Sequence, residues 1–255
     1  MERVRVGSLG IDRVTMTEAL DAVEWLVDLG ASGAIFTPNV DHVVLAEEDT
    51  RFRDAYGRAS LSLADGMPVV WASRLLGRPV PEKVSGSDFV PQLMERAAER
   101  GLRVYLLGGG PGVAERAAEI LRERGVAICG VDAPLLTATT DLAPIADRIR
   151  DALPDVVLVG FGAPKQELFI DAVRNEAPAV YVACGATLDF IAGNVKRAPR
   201  WMSASGLEWL YRLCREPRRL WRRYLVRDPK FALILWRQLR DRRAALPPQS
   251  APGPA

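Results

Sequence analysis

The chain has 255 residues, 49% hydrophobic and 26% charged, which suits one large globular domain or two small ones with a sizeable core. Its net charge of +2 hides an asymmetry: residues 212–243 hold twelve Lys or Arg against three Asp or Glu, a local +9, so the rest of the chain carries −7. Three scattered cysteines (Cys129, Cys184, Cys214) with no CxxC pair, a single histidine (His42) and no long apolar run exclude a disulfide framework, a multi-histidine metal centre and a membrane-spanning helix.

In chain order, the apolar alternation over residues 3–14 predicts a small β-hairpin. Thr15 or Thr17 then caps a helix that runs to Gly30. A strand at 34–37 stops at Thr37-Pro38-Asn39-Val40-Asp41-His42. Helices follow at 40–48 and 50–59, then a strand at 61–64 that stops at Asp65-Gly66-Met67-Pro68. In a parallel α/β sheet these stops are the carboxyl ends of strands, where ligands bind. Thr37, Asn39, Asp41 and Asp65 are thereby offered to one crevice. Asp65 either caps the helix over 66–76 or is held out into that crevice by the sharp turn after it.

A Pro-bracketed loop over 77–88 leads to a helix capped by Ser87 or Asp88 and ending at Arg100. A strand at 103–107 runs into Gly108-Gly109-Gly110-Pro111-Gly112. Those glycines either hold a phosphate at the start of the 113–124 helix or make a tight turn. They do not complete G-x-G-x-x-G, because Val113 stands at the last glycine position, and no acidic residue is expected to end the next strand, at 126–129. After a helix at 142–152, the strand at 155–159 stops at Gly160-Phe161-Gly162-Ala163-Pro164-Lys165-Gln166-Glu167. A lysine in a first helical turn opposes the macrodipole, so Lys165 and Gln166 are read as ligands for a phosphate or a base edge, with Glu167 pairing Lys165 or capping the 167–175 helix. A last strand spans 179–184.

The alternation predicts a Rossmann-like, mostly parallel sheet with helices on both faces. Residues 1–205 form the α/β domain, 206–243 a basic amphipathic helical appendage and 244–255 a disordered tail. In the appendage, Arg215, Arg218, Arg219 and Arg222 fall at i, i+3, i+4, i+7, and Leu220, Trp221, Tyr224 and Leu225 lie beside them. One basic helical face of this kind suits an anionic membrane surface or a lipid diphosphate. No nucleic-acid module accompanies it. The N-terminus lacks the apolar core of a secretion signal, so a cytoplasmic protein is expected.

Several motifs together resemble the WecG/TagA/CpsF family of bacterial glycosyltransferases over about residues 3–240. They are Thr37 to His42, Ala64 to Pro68, Glu82 to Asp88, Gly160 to Glu167, and Arg197-Ala198-Pro199-Arg200-Trp201 through Gly206-Leu207-Glu208-Trp209-Leu210-Tyr211-Arg212 to Arg219. The resemblance implies inverting transfer of N-acetylmannosamine or a related sugar from a UDP-sugar to undecaprenyl-diphosphate-linked N-acetylglucosamine. It implies no cofactor or metal, a site at the inner membrane face, and self-association. It makes Asp65 the base, with Thr37 and Asn39 beside it. Asp41, Lys83, Gly108, Gly109, Gly110, Lys165, Gln166, Glu167, Arg212, Arg215, Arg219 and Arg222 are then expected to bind substrates. Lys83 stands where the family commonly has arginine, and a lysine cannot make the bidentate diphosphate contact. Two rival readings are a nucleotide-dependent oxidoreductase, which NAD(P) binding would reveal, and a non-catalytic membrane adaptor, which would bind vesicles without turning over a UDP-sugar.

Overall fold

The computed structural model describes residues 2–245; the side chains at 200, 204, 219 and 242–245 lie outside that description, as does the expected tail beyond Ala245. Strands β1 (Arg3–Val6) and β2 (Leu9–Asp12) form the expected hairpin. The main sheet has six parallel strands: β3 (Gly33–Phe36), β4 (Leu61–Ser62), β5 (Arg103–Gly108), β6 (Ala127–Asp132), β7 (Val156–Gly160) and β8 (Val180–Ala183). Their spatial order is β4-β3-β8-β7-β5-β6. The central strands are apolar without alternation because both faces are covered. Val157 and Val159 of β7 join one buried layer, and Val156 and Leu158 join the other.

One face carries α1 (Met16–Asp28), α5 (Gly86–Arg100), α6 (Val113–Glu123) and α9 (Thr187–Ile191). The opposite face carries the hairpin, α2 (Val40–Glu48), α3 (Thr50–Gly57), α4 (Met67–Leu75), α7 (Ala143–Ala152) and α8 (Lys165–Val173). Local chemistry sets these starts. Thr15, not Thr17, closes a capping box with Glu18 at α1. Helix α5 begins at Gly86 rather than after Ser87, and Ser85 is its N-cap.

Two expectations are corrected. Strand β6 runs on to Asp132, so an acidic residue does end the strand after the glycine turn. That carboxylate is taken by Arg148, at 2.6 and 2.8 Å from its Nη2 and Nε. The second correction concerns Arg215 to Arg222, which do not share one helical face. The basic segment comprises α10 (Arg200–Ala204), α11 (Glu208–Arg215), α12 (Pro217–Arg222), a π-helical turn (Arg223–Arg227) and α13 (Lys230–Ala245). Pro217 disfavours the helical conformation in the residue before it, and Glu216 stands at φ −133°, ψ 56°. Arg215 is therefore on a different helix from Arg218, Arg219 and Arg222. These short helices fold back over the carboxyl edge of the sheet, and α13 packs along α2.

Candidate active site

The carboxyl ends of β4, β3, β8 and β7 open into two adjoining cavities, of about 320 and 350 Å3. Asn39, Asp65, Glu208, Arg212 and Arg223 line both. The outer cavity is completed by Lys83 and, from the C-terminal helices, by Trp209, Tyr224, Asp228 and Phe231. The inner one is completed by strand-end turns: Thr37, Gly162, Gln166, Gly185 and Thr187, together with Gly86 and Ser87 at the start of α5.

Asp65 lies just past the end of β4. Its backbone N–H donates to the Pro38 carbonyl at 3.0 Å, which ties the β4 turn to the β3 turn. The next residue, Gly66, has φ +104°, a conformation that favours glycine. Gly66 is the N-cap of α4 and receives no side-chain cap. Asp65 is thus free of the capping role and turns into the cleft, half-buried. Burial first, and then the negative charge of Glu208, push its carboxyl up to about 6; Lys83, His42 and Arg212 pull the other way.

Thr37 is buried, and its hydroxyl donates to the Ala183 carbonyl at 3.4 Å. Asn39 caps α2: its Oδ1 accepts from the N–H groups of Asp41 and His42 and, at 3.0 Å, from Arg223 Nη2. Asp41 is buried in an ion pair with Arg227 at 2.9 Å and lies 3.3 Å from Arg223 Nε. Its charge docks the C-terminal helices onto α2. Gln166 is a clamp: its Oε1 accepts from both Gly162 and Gly185, each at 3.1 Å, joining the β7 and β8 turns. Glu167 lies fully buried behind that wall, with Oε1 3.3 Å from His42 Nε2 and 2.9 Å from Gln166 Nε2. Cys184 lines the inner cavity, but burial pushes its thiol up to about 12, so it stays protonated.

Lys83 donates to Ser203 at 2.9 Å and pairs with Asp88 at 2.9 Å. Burial works to raise the Asp88 carboxyl, but hydrogen bonds from Ser85, Lys83 and Arg197 outweigh it and hold it down at about 2. Arg212 faces both cavities, makes no ion pair among the described residues, and has a buried Nε without a partner. It is thus a cation available to an incoming anion. Ser85 gives α5 no side-chain cap, which leaves the N–H groups of Gly86 and Ser87 at the cavity wall.

Other expected contacts are not at these walls. Gly108 and Gly109 have φ +99° and +86°, and a Cβ on either would meet Gly160 and Phe161, or Val113, at 2.9 Å. They serve the turn beside Gly160, and neither they nor Gly110 lines either of the two cavities. Lys165 turns away to the Leu136 carbonyl at 3.0 Å. Arg215 and Arg222 are exposed, and Arg222 lies over Trp221, 5.4 Å from the ring centroid. The Arg219 side chain lies outside the described residues. Among the described residues no three His, Cys, Asp or Glu side chains come together to hold a metal ion.

Glu208 stood in the sequence only as part of a motif, and neither it nor Arg223 nor Asp228 was expected at the site. The i, i+4 spacing of Arg223 and Arg227 was a signal, because their common target, Asp41, stands in the first turn of α2. Asp228 Oδ1 is buried without a partner, and burial foremost pushes that carboxyl up to about 6.

The model of the glycosyl transferase WecG/TagA/CpsF family matches residues 4–245. An N-acetylglucosaminyldiphosphoundecaprenol N-acetyl-beta-D-mannosaminyltransferase of Bacillus spizizenii is 34% identical over 225 residues, which cover 87% of this chain and 84% of that protein.

Proposed function

The chain belongs to the WecG/TagA/CpsF family of glycosyltransferases, and from that premise we propose that it transfers N-acetylmannosamine or a related sugar from UDP to undecaprenyl-diphosphate-linked N-acetylglucosamine, with inversion. The observation that carries this reading is the position of Asp65, a carboxylate with raised proton affinity where two cavities meet. The inner cavity takes the nucleotide sugar. The first-turn N–H groups of α5 and the Arg212 guanidinium suit the charge that grows on UDP as the glycosidic bond breaks. The outer cavity takes the acceptor, whose sugar ring suits the aromatic faces of Trp209 and Tyr224 and whose diphosphate suits Lys83 and Arg212.

Asp65 takes the proton from the acceptor hydroxyl as that oxygen attacks the anomeric carbon, a contribution of about 10²–10⁴ in rate. Attack from the face opposite UDP inverts the centre in one displacement. The acceptor's lipid places the reaction at the inner face of the plasma membrane, and the basic C-terminal helices suit that surface. The test is a screen of UDP-sugars against a synthetic N-acetylglucosaminyl-diphospholipid, read by mass spectrometry. A disaccharide-diphospholipid formed fastest from UDP-N-acetylmannosamine, with the new bond β, is the expected product. Turnover of none of the donors would reject the reading.

A further inference from the structure

Among the described residues, Glu208 is the only carboxylate of the C-terminal helices that lines both cavities beside Asp65. It is held there by a chain of contacts. Its Oε2 accepts from Ser203 Oγ at 2.9 Å, and that hydroxyl accepts from Lys83 Nζ at 2.9 Å. The approach of its segment is built in by Gly206, at φ +74°, where a Cβ would stand 2.8 Å from Trp71 Cη2. Asp65 itself has no side-chain hydrogen-bond partner among the described residues, so its basicity is set by burial and by the charges around it.

We propose that Glu208 is a positioning residue for the base: docking of the C-terminal helices brings its charge up to Asp65, so proton removal from the acceptor is efficient only when the cleft is closed. The proposal rests on Asp65 being that base. Negative charges sharing a cleft raise each other's affinity for protons. A general base gains from this as long as it remains ionised at the working pH. The groups facing Asp65 are His42 of α2, Lys83 of the loop before α5, and Glu208 and Arg212 of α11, with Tyr56 of α3 behind; Arg223 and Asp228 complete the outer wall, and Asp41, paired with Arg227, the inner one. Of the carboxylates among them, Glu208 is the one that raises Asp65; it arrives with the appendage and outweighs Arg212 of the same helix, which pulls the other way. An open cleft would leave Asp65 a weaker base facing water; a closed one would arm it over the acceptor.

The test compares pH profiles of kcat, at saturating UDP-N-acetylmannosamine and diphospholipid acceptor, for the wild type, Glu208→Gln, Gly206→Ala and Asp65→Asn. Glu208→Gln is expected to move the acid limb to lower pH and to reduce the plateau by about three- to tenfold with donor KM little changed. Gly206→Ala keeps the carboxylate but pushes its segment off Trp71, and the same downward movement is expected. This second variant keeps the proposal open to refutation should Glu208→Gln not fold. An acid limb that stays in place in either folded variant would overturn the proposal and leave Glu208 a structural anchor for Ser203 and Lys83. Failure of the underlying reading looks different: Asp65→Asn would then turn over at close to the wild-type rate.

Discussion

A carboxylate that takes a proton from a sugar hydroxyl works best with its pKa near the working pH, and such a carboxylate weakens the fold that holds it. The Asp65 carboxyl rises in the folded protein from 3.8 to about 6, so the fold prefers its protonated form. Stability is therefore lost as pH climbs between those values, and the cost is complete above about 6, where it amounts to at most about 3 kcal/mol. Asp65→Asn is accordingly expected to raise Tm at pH 7.5 but not at pH 3.5, while transfer falls by about 10²–10⁴. Calorimetry at the two pH values checks the first half; equal Tm changes at both would show that the fold does not disfavour the charge. The position of Asp65 past the end of a strand was legible in the chain, because Gly-Met-Pro after a short apolar run marks a turn just past a carboxylate; whether it capped the next helix or faced the crevice was not. Its environment was not legible, since Glu208 comes from a distant helix. Lys165 shows the converse. Its place in a first helical turn suggested a phosphate ligand, but the loop after β6 runs near enough for the Leu136 carbonyl to take the ammonium, and no local pattern reports such a neighbour.

At the scale of elements, the site is half sheet and half appendage, and Asp41 joins the two. Its carboxylate is almost fully buried between Arg223 and Arg227, so removing the charge would strand two guanidinium groups. Asp41→Asn keeps the shape and is expected to weaken docking of the C-terminal helices by about 2 kcal/mol, which makes opening about 30-fold more frequent. Hydrogen exchange of residues 217–230 should quicken by that factor while β7 and β8 exchange as before, and kcat/KM for the lipid acceptor should fall. Unchanged exchange there would show that packing of Phe231 and Leu220, both buried, holds the appendage without the ion pairs. Periodicity alone did not bring Arg223 and Arg227 to the cleft, because it took residues 215–222 as one unbroken helix. Pro217 and the π turn after α12 rotate the later residues, so Arg223 and Arg227 face the cleft while Arg215 and Arg222 face solvent.

For the whole molecule, the sheet was legible because apolar runs ending in glycine and small polar residues recur at every strand, and right-handed crossovers then bring those ends to one edge. The folding-back of the C-terminal helices over that edge was not, since it depends on contacts between Asp41 and residues near the other end of the chain. This arrangement has a consequence for where the enzyme works. No helix among the described residues is long and apolar enough to cross a membrane, yet the polyprenyl acceptor proposed above stays in one. The helices beside the outer cavity expose Trp221, Leu225, Val226, Leu233 and Trp236 within the segment that carries +9, while the remainder carries −7. Such a surface favours anionic lipid by charge and inserts apolar side chains at the headgroup boundary. Co-sedimentation with vesicles containing anionic phospholipid should therefore exceed that with neutral vesicles and decline as salt shortens the reach of the charges. Replacing Trp221 and Leu225 together by Ser should weaken the remaining, salt-resistant binding by about tenfold or more, while turnover of a short-chain, water-soluble acceptor stays near wild type because neither residue lines a cavity. Binding that ignores lipid charge, or a double variant that binds as tightly as the wild type, would show that the enzyme meets its acceptor through another face.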